Sequence, residues 1–398
     1  MGKKISLTAK IGIALALGVA AGVVLGEGAV MYVRPVGQIY LNLIKTVVIP
    51  VVTLSIILGV VSLEDVKKVG RLGLRAVGFF LCTTAIAVTL GLALANLLGA
   101  GSDFHAPGQN QAPPEIAPVD FGKTLVNLFP SNILAPFMEG NMLPVIVIAI
   151  SLGFGILLVG EQGNPLRRAA ESLNGVFLKL MDLVIRLSPI GVFALILPVV
   201  AQEGLGVLLP LIRLILICYL AYGIHMAVVY AGAVAAWGKL SPLRFFQEMG
   251  RPILFGFSSA SSVGALPFNL EATARLGVSR EVSGFVLPLG ATINMDGTAI
   301  YQGVCAVFVA QAFGMELTLT QQLSVVLTSV LASIGTAGAP GSGMIMLAMV
   351  LQSAGLPVEG IALVAGIDRI LDMGRTVVNI TGDAACSIVV QAGLGKKS

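Results

Sequence analysis

Residues 252–270 read PILFGFSSASSVGALPFNL, and the fold turns on how this stretch is understood. Four serines, two glycines and two prolines interrupt an otherwise apolar run, so no continuous helix is expected across it. A second stretch repeats the pattern. Residues 323–353 carry ASIGTAGAPGSGM between two apolar arms. Broken backbone in a strongly apolar chain is tolerated only where it is buried in protein or lines a watery cavity. A pair of such segments in corresponding positions of two successive units predicts two re-entrant hairpins, about 252–270 and 323–353, with tips meeting near the middle of a membrane. The first would enter from the cytoplasmic side and the second from outside.

The rest of the chain supplies that membrane setting. Of its 398 residues 56% are hydrophobic and 11% charged, where an ordinary soluble domain carries about 25% charged residues. So little charge cannot cover a soluble particle. The 48 glycines fit closely packed membrane helices. Cys82, Cys218, Cys305 and Cys386 all lie in apolar runs, which argues against a secreted disulfide scaffold. A net charge of +4, with basic residues in short clusters between apolar runs, argues against nucleic acid as a partner.

Eight spans of about 20 apolar residues or more follow, at 11–26, 36–62, 76–99, 125–159, 174–200, 207–237, 282–313 and 358–392. The first is an uncleaved helix, since no small-residue cleavage site precedes a soluble domain. Basic residues gather at every second connection: Lys3, Lys4 and Lys10, then Lys67, Lys68, Arg71 and Arg75, then Arg167 and Arg168, then Lys239, Arg244 and Arg251, and finally Lys396 and Lys397. The excess of Lys and Arg marks the cytoplasmic side, so both termini are expected there. The Pro-, Gly- and Gln-rich segment 100–123 is an external loop. Pro130, Pro136 and Pro144 should divide the fourth span into several helical pieces, and Pro50 should bend the second.

Two further motifs carry chemistry. The seventh span holds Pro288-Leu-Gly-Ala-Thr-Ile-Asn-Met-Asp-Gly-Thr298, where Asn, Asp and Gly should unwind the helix. Freed carbonyls and Asp296 are oxygen ligands of the kind a small hard cation takes. The last span reads GIDRILDMGRTVVNITGD over 366–383. Asp368, Asp372, Arg375, Asn379 and Asp383 recur every three or four residues, which puts them on one helix face. A charge at bilayer depth costs from about 3 to about 15 kcal/mol, so this stripe must meet partners, ions or cargo. A purely structural salt-bridge network would not explain the excess of acid or the two broken hairpins. Arg375 offers a planar fork for a carboxylate; Asp372, one turn away, can accept from an ammonium. The pair suits an acidic amino acid, while Asn379 and Asp383 offer oxygens to a cation.

These motifs resemble those of the glutamate transporter homologues in the dicarboxylate/amino acid:cation symporter family, over nearly the whole chain, and look most like the prokaryotic sodium-coupled aspartate carriers. The resemblance implies an all-α integral membrane fold of eight transmembrane helices and two re-entrant hairpins with inverted repeats, assembled as a homotrimer in the cell membrane. Residues 1–75 and 101–206 would form a scaffold with an external loop. Residues 76–100 and 207–398 would form a transport domain that moves as an elevator. The activity implied is sodium-coupled symport of L-aspartate or L-glutamate, with three coupled sodium ions and no organic cofactor; it is not an enzyme's. Arg375 would hold the side-chain carboxylate and Asp372 the amino group, with Thr298, Asn379, Ser262, Thr376 and the backbone at Ala339 and Gly343 completing the site. One sodium would sit with Gly290, Asn294, Asn379 and Asp383, a second with Thr292, Ser333, Ile334 and Thr336, and a third with Phe80, Thr83, Thr84, Asn294 and Asp296. The chain departs from archaeal relatives at Ala260, where they carry an arginine before the hairpin-one serines. Animal members instead carry one at the position of Met373. Arg369 is expected to supply that charge, beside either Asp372 or Asp368. Animal members that couple protons and potassium have a glutamate where this chain has Gln302, which predicts neither proton symport nor potassium antiport here.

The competing reading is a proton-coupled C4-dicarboxylate carrier, whose cargo lacks an ammonium and would leave Asp372 without use. An intramembrane hydrolase built on a hairpin serine lacks a placed base. A passive anion channel would not need the Arg375–Asp372 pair. His105 and His225 have no Cys or His neighbour at metal spacing and make no zinc site; His225 reads as structural. Met344, Met346 and Met349 read as packing, whereas Met295 falls inside the cation motif.

Overall fold

The computed structural model describes residues 7–69, 71–102, 104, 126, 129–139, 142–333 and 342–394. It is 88% helix, with no strand among the described residues. Among the described residues four stretches, Gly12–Tyr40, Leu72–Leu98, Val147–Leu180 and Gly204–Ala236, are long and apolar enough to cross a membrane.

The first spans become α1 (Leu7–Leu25), α2 (Val30–Val69) and α3 (Arg71–Leu98). Helix α2 runs through Pro35 and Pro50. The fourth span is in pieces among its described residues, α4 (Ala135–Glu139) and α5 (Met142–Val159), with Pro136 and Pro144 in their first turns, where a missing N–H is harmless. The fifth span is not one helix as the sequence suggested. It divides into α6 (Asn164–Arg186) and α7 (Ser188–Glu203), because Pro189 opens α7 and cannot continue α6. The sixth span is also interrupted: α8 (Leu208–Ile224) passes through a π turn, His225–Tyr230, into α9 (Ala231–Ala236).

After α10 (Pro242–Glu248) come the two halves of the first broken segment, α11 (Gly250–Ser259) and α12 (Ser262–Arg275), which pack on each other. Between them Ala260 is left-handed at φ 52°, a conformation an alanine resists, and Ser261 caps α12 by accepting from Gly264 N at 3.1 Å. The seventh span breaks at Asn294–Met295, between α13 (Arg280–Ile293) and α14 (Asp296–Ala312). The second broken segment shows α15 (Leu319–Ser333) packed on α16 (Ser342–Ser353); its tip lies outside the described residues. Helices α17 (Ile361–Ala365) and α18 (Asp368–Leu394) complete the chain.

Packing gathers these helices around two centres. Helix α1 lies on α7, and α2 lies on α5, α6 and α7. Helix α3 lies on α14, and α18 touches α8, α11, α12, α13 and α14. The α3–α14 contact is close because it has little side chain in it: a Cβ on Gly91 would stand 2.7 Å from the Ile300 carbonyl, and one on Gly303 would stand 2.9 Å from that of Val88. Helix α14 is buried along almost its whole length. The acidic stripe of α18 therefore faces protein rather than lipid.

Candidate functional site

Helical spacing aligns the charged residues of α18, and they pair along the helix. Arg375, 2% exposed, donates from Nε to Asp372 Oδ1 at 2.8 Å. Its two Nη atoms donate to Asp368 at 3.0 and 3.4 Å, and its guanidinium lies 4.6 Å from the centre of the Tyr301 ring. Arg375 is thus fully engaged with two aspartates rather than standing open. Arg369 sits on the far side of Asp372, with Nη1 3.5 Å from Oδ2, and its Nη2 donates to the Ser259 carbonyl at 3.2 Å. The sequence left open whether Arg369 would face Asp372 or Asp368. It faces Asp372, and it also reaches the tip of the first broken segment beside left-handed Ala260.

The other residues expected around the cargo converge on this cluster where they are described. Thr376 donates to the Asp372 carbonyl at 2.8 Å. Gly343 lies against Arg375, so close that a Cβ there would stand 2.5 Å from Nη1. Thr298 is buried in the first turn of α14, with its hydroxyl 3.9 Å from Met295 Sδ, and Ser262 is buried as the first residue of α12. Ala339 lies outside the described residues.

One turn beyond, the break in the seventh span assembles oxygens. Asn294 Nδ2 donates to the Asn379 carbonyl at 2.8 Å and to Asp383 Oδ1 at 2.9 Å. Those two bonds fix the amide's orientation and leave Asn294 Oδ1 buried with no partner. Gly290 completes this first set: a Cβ there would stand 2.7 Å from Asp383 Cγ, so only glycine admits the carboxylate. On the other side of Asn294, Thr84 Oγ1 lies 2.6 Å from Asp296 Oδ1 and 2.8 Å from the Phe80 carbonyl, which also accepts from Thr83 at 3.1 Å. One hydroxyl proton cannot serve two acceptors, so Thr84, Phe80 and Asp296 crowd oxygen lone pairs together. That donor set and the orphaned amide oxygen fit a small hard cation. The remaining set is only half described. Thr292 is exposed with its hydroxyl on the Leu289 carbonyl, Ser333 is buried with its hydroxyl on that of Val330, and Ile334 and Thr336 lie outside the described residues.

Two residues at this site escaped the sequence reading. His225 Nε2 lies 3.1 Å from Asp296 Oδ2, and Tyr230 donates to the same oxygen at 2.8 Å. Helical periodicity hides the pair, because residues five apart fall on different faces of an α-helix.

Comparison with known proteins gives a consistent result. The profile of the Sodium:dicarboxylate symporter family matches residues 7–392. The chain is 36% identical over 397 residues to the proton/sodium-glutamate symport protein of Bacillus subtilis, covering 97% of this chain and 92% of that protein. It is 34% identical to the proton/glutamate-aspartate symporter of Escherichia coli, over 89% of this chain and 84% of that one. It is also 34% identical to a C4-dicarboxylate transport protein of Paraburkholderia phymatum, over 90% and 86%.

Proposed function

This chain belongs to the Sodium:dicarboxylate symporter family, a secondary, cation-coupled carrier of a dicarboxylate or acidic amino acid in the membrane, and we propose that it couples sodium to an acidic amino acid, with L-aspartate favoured over L-glutamate. The observation that carries this reading is a charge imbalance. Asp296, Asp368, Asp372 and Asp383 are buried, against the guanidiniums of Arg369 and Arg375. With every carboxylate ionised, the site carries two negative charges in excess. Uncompensated charge in a low-dielectric interior is costly. Three monovalent cations with one acidic amino acid, itself carrying one net negative charge, restore neutrality; a doubly charged C4-dicarboxylate with the same cations does not.

In this reading the cargo's distal carboxylate takes Arg375 donors now held by Asp368, and its ammonium takes the place of Arg375 Nε on Asp372. Sodium ions occupy the Gly290–Asn294–Asn379–Asp383 set, the Phe80–Thr83–Thr84–Asn294–Asp296 set and the Thr292–Ser333–Ile334–Thr336 set. Helices α1, α2 and α4–α7, within 1–75 and 101–206, serve as a trimeric scaffold. Residues 76–100 and 207–398 move against it as an elevator, with residues 323–353 as the external gate. The grouping of helix contacts around two centres supports that division. One relative is named for protons as well as sodium and another for protons without sodium; the buried Gln302, which cannot titrate, favours sodium here.

The test is uptake of radiolabelled L-aspartate into proteoliposomes, driven by an inward sodium gradient or by a proton gradient alone, with excess succinate as competitor. Uptake that needs sodium and ignores succinate is expected. Uptake driven by a proton gradient alone would refute sodium coupling, and uptake blocked by succinate would favour the C4-dicarboxylate reading.

A further inference from the structure

His225 is wholly buried, and the sequence gives it no evident task. In the structure its ring meets the Tyr230 ring edge to face at 4.8 Å, and both side chains address one oxygen, Asp296 Oδ2. The other oxygen, Oδ1, faces Thr84. The carboxylate is divided between two neighbourhoods, with two donors on one side and a nest of oxygens on the other.

The backbone is adapted to this division. At 3.6 residues per turn, positions five apart stand about 140° around an α-helix, and His225 and Tyr230 could not meet one acceptor. Residues 225–230 form the one π turn among the described residues. In a π turn the hydrogen bonds join residues five apart, so the two side chains come onto one face; such turns recur at functional sites.

We propose that His225 and Tyr230 are positioning residues that hold Asp296 as a one-oxygen cation ligand. They occupy Oδ2, and Oδ1 is left to a cation shared with the Phe80 carbonyl, Thr83 and Thr84. The inference rests on the sodium reading above. The histidine proton belongs on Nε2, since a lone pair there would face a carboxylate, and Nδ1 has no partner among the described residues. The two donors orient the carboxylate through Oδ2 and leave Oδ1 turned toward the oxygen nest.

The experiment uses the full-length protein in detergent without amino acid. Sodium is titrated against choline at constant ionic strength, and thermal stabilisation is the readout. Tyr230→Phe removes one oxygen, His225→Leu removes the ring donor, and His225→Gln keeps an N–H donor without the ring. Each lost hydrogen bond to a charged group predicts a sodium half-saturation shifted roughly tenfold upward. Tyr230→Phe and His225→Leu should both show it, His225→Gln should recover most of it, and L-aspartate affinity at saturating sodium should move less than about twofold. Wild-type sodium titrations in Tyr230→Phe and His225→Leu would overturn the inference while leaving sodium symport intact. So would a His225→Gln variant as impaired as His225→Leu, because the ring's shape and not its donor would then matter. Should His225→Leu fail to fold, Tyr230→Phe decides alone. A wild-type protein that gains nothing from sodium would refute the sodium reading itself, and this inference with it.

Discussion

Replacing Asp383 by asparagine should weaken sodium binding and yet stabilise the sodium-free protein. Asp383 is 1% exposed, and its Oδ1 accepts from Asn294 Nδ2 at 2.9 Å. No lysine, arginine or histidine pairs with it among the described residues. Asparagine keeps the size and an acceptor oxygen for Asn294 but removes the charge. A monovalent cation about 4 Å from a carboxylate gains about 4 kcal/mol at an effective dielectric near 20, so the variant should lose about three decades of sodium affinity. Without sodium the sign reverses. A buried charge lacking a counter-ion costs several kcal/mol, of which removal should recover about 1–3 kcal/mol once the new amide's own unmet hydrogen bonds are counted. In a protein of this size that is a rise of a few degrees in Tm. Thermal unfolding with and without sodium reads both effects, and sodium-dependent L-aspartate uptake reads the first independently. A variant that binds sodium as the wild type does, or that melts earlier in sodium-free buffer, would refute the charge-imbalance argument.

Three further outcomes follow from named contacts. Arg369→Ala removes both the charge 3.5 Å from Asp372 and the donor to the Ser259 carbonyl; L-aspartate half-saturation should rise about tenfold, and unchanged rate and affinity would dismiss the role given to Arg369. Gly297→Ala would put a Cβ 2.6 Å from Arg375 Cα and 2.8 Å from its carbonyl carbon, forcing two backbones apart. The expected loss is about 1–3 kcal/mol, seen as a Tm lower by a few degrees. Because Gln302 is buried and cannot exchange a proton, potassium inside proteoliposomes should leave turnover unchanged, and acceleration by internal potassium would contradict that reading.

What the sequence made legible follows from residue chemistry that acts locally. Asn, Asp and Gly in an apolar helix predicted the break, and it falls at Asn294–Met295. The run Ser-Ser-Ala-Ser-Ser predicted an interruption, and it turns at Ala260 with Ser261 as cap. Spacing placed Asp368, Asp372, Arg375, Asn379 and Asp383 on one helix face, and α18 runs unbroken through all five. The rest depended on contacts between distant segments. Nothing local says that Arg375 pairs with Asp368 seven residues away rather than standing open, or that Tyr301 covers it. The fifth span looked continuous because its hydropathy is, although Pro189 marks the boundary between α6 and α7. The π turn leaves no periodic trace at all, which is why His225 read as a structural residue.

The proposed coupling of ion to cargo has a cause and a means, and they are different things. The cause is electrostatic: an anion entering a site with two excess negative charges is favoured by any cation already there, and by reciprocity it favours the cation by the same factor. Electrostatics alone would allow sodium to be replaced by any positive charge nearby. The means is more exacting, and it runs through Asn379. Its carbonyl accepts from Asn294 Nδ2 at 2.8 Å, its Oδ1 accepts from Gly297 N at 2.8 Å, and its Nδ2 lies 3.3 Å from Met295 Sδ. Asn379 therefore binds the unwound turn at three points to the helix that carries Asp372 and Arg375, one face above it. A cation that draws Asn294 Oδ1 and Asp296 Oδ1 inward fixes the turn, and the turn fixes the register of the helix presenting its charges to the cargo. An ion too large for that oxygen nest could neutralise the site yet leave the turn unset, so charge accounts for why a cation is required and Asn379 for why it should be a small one.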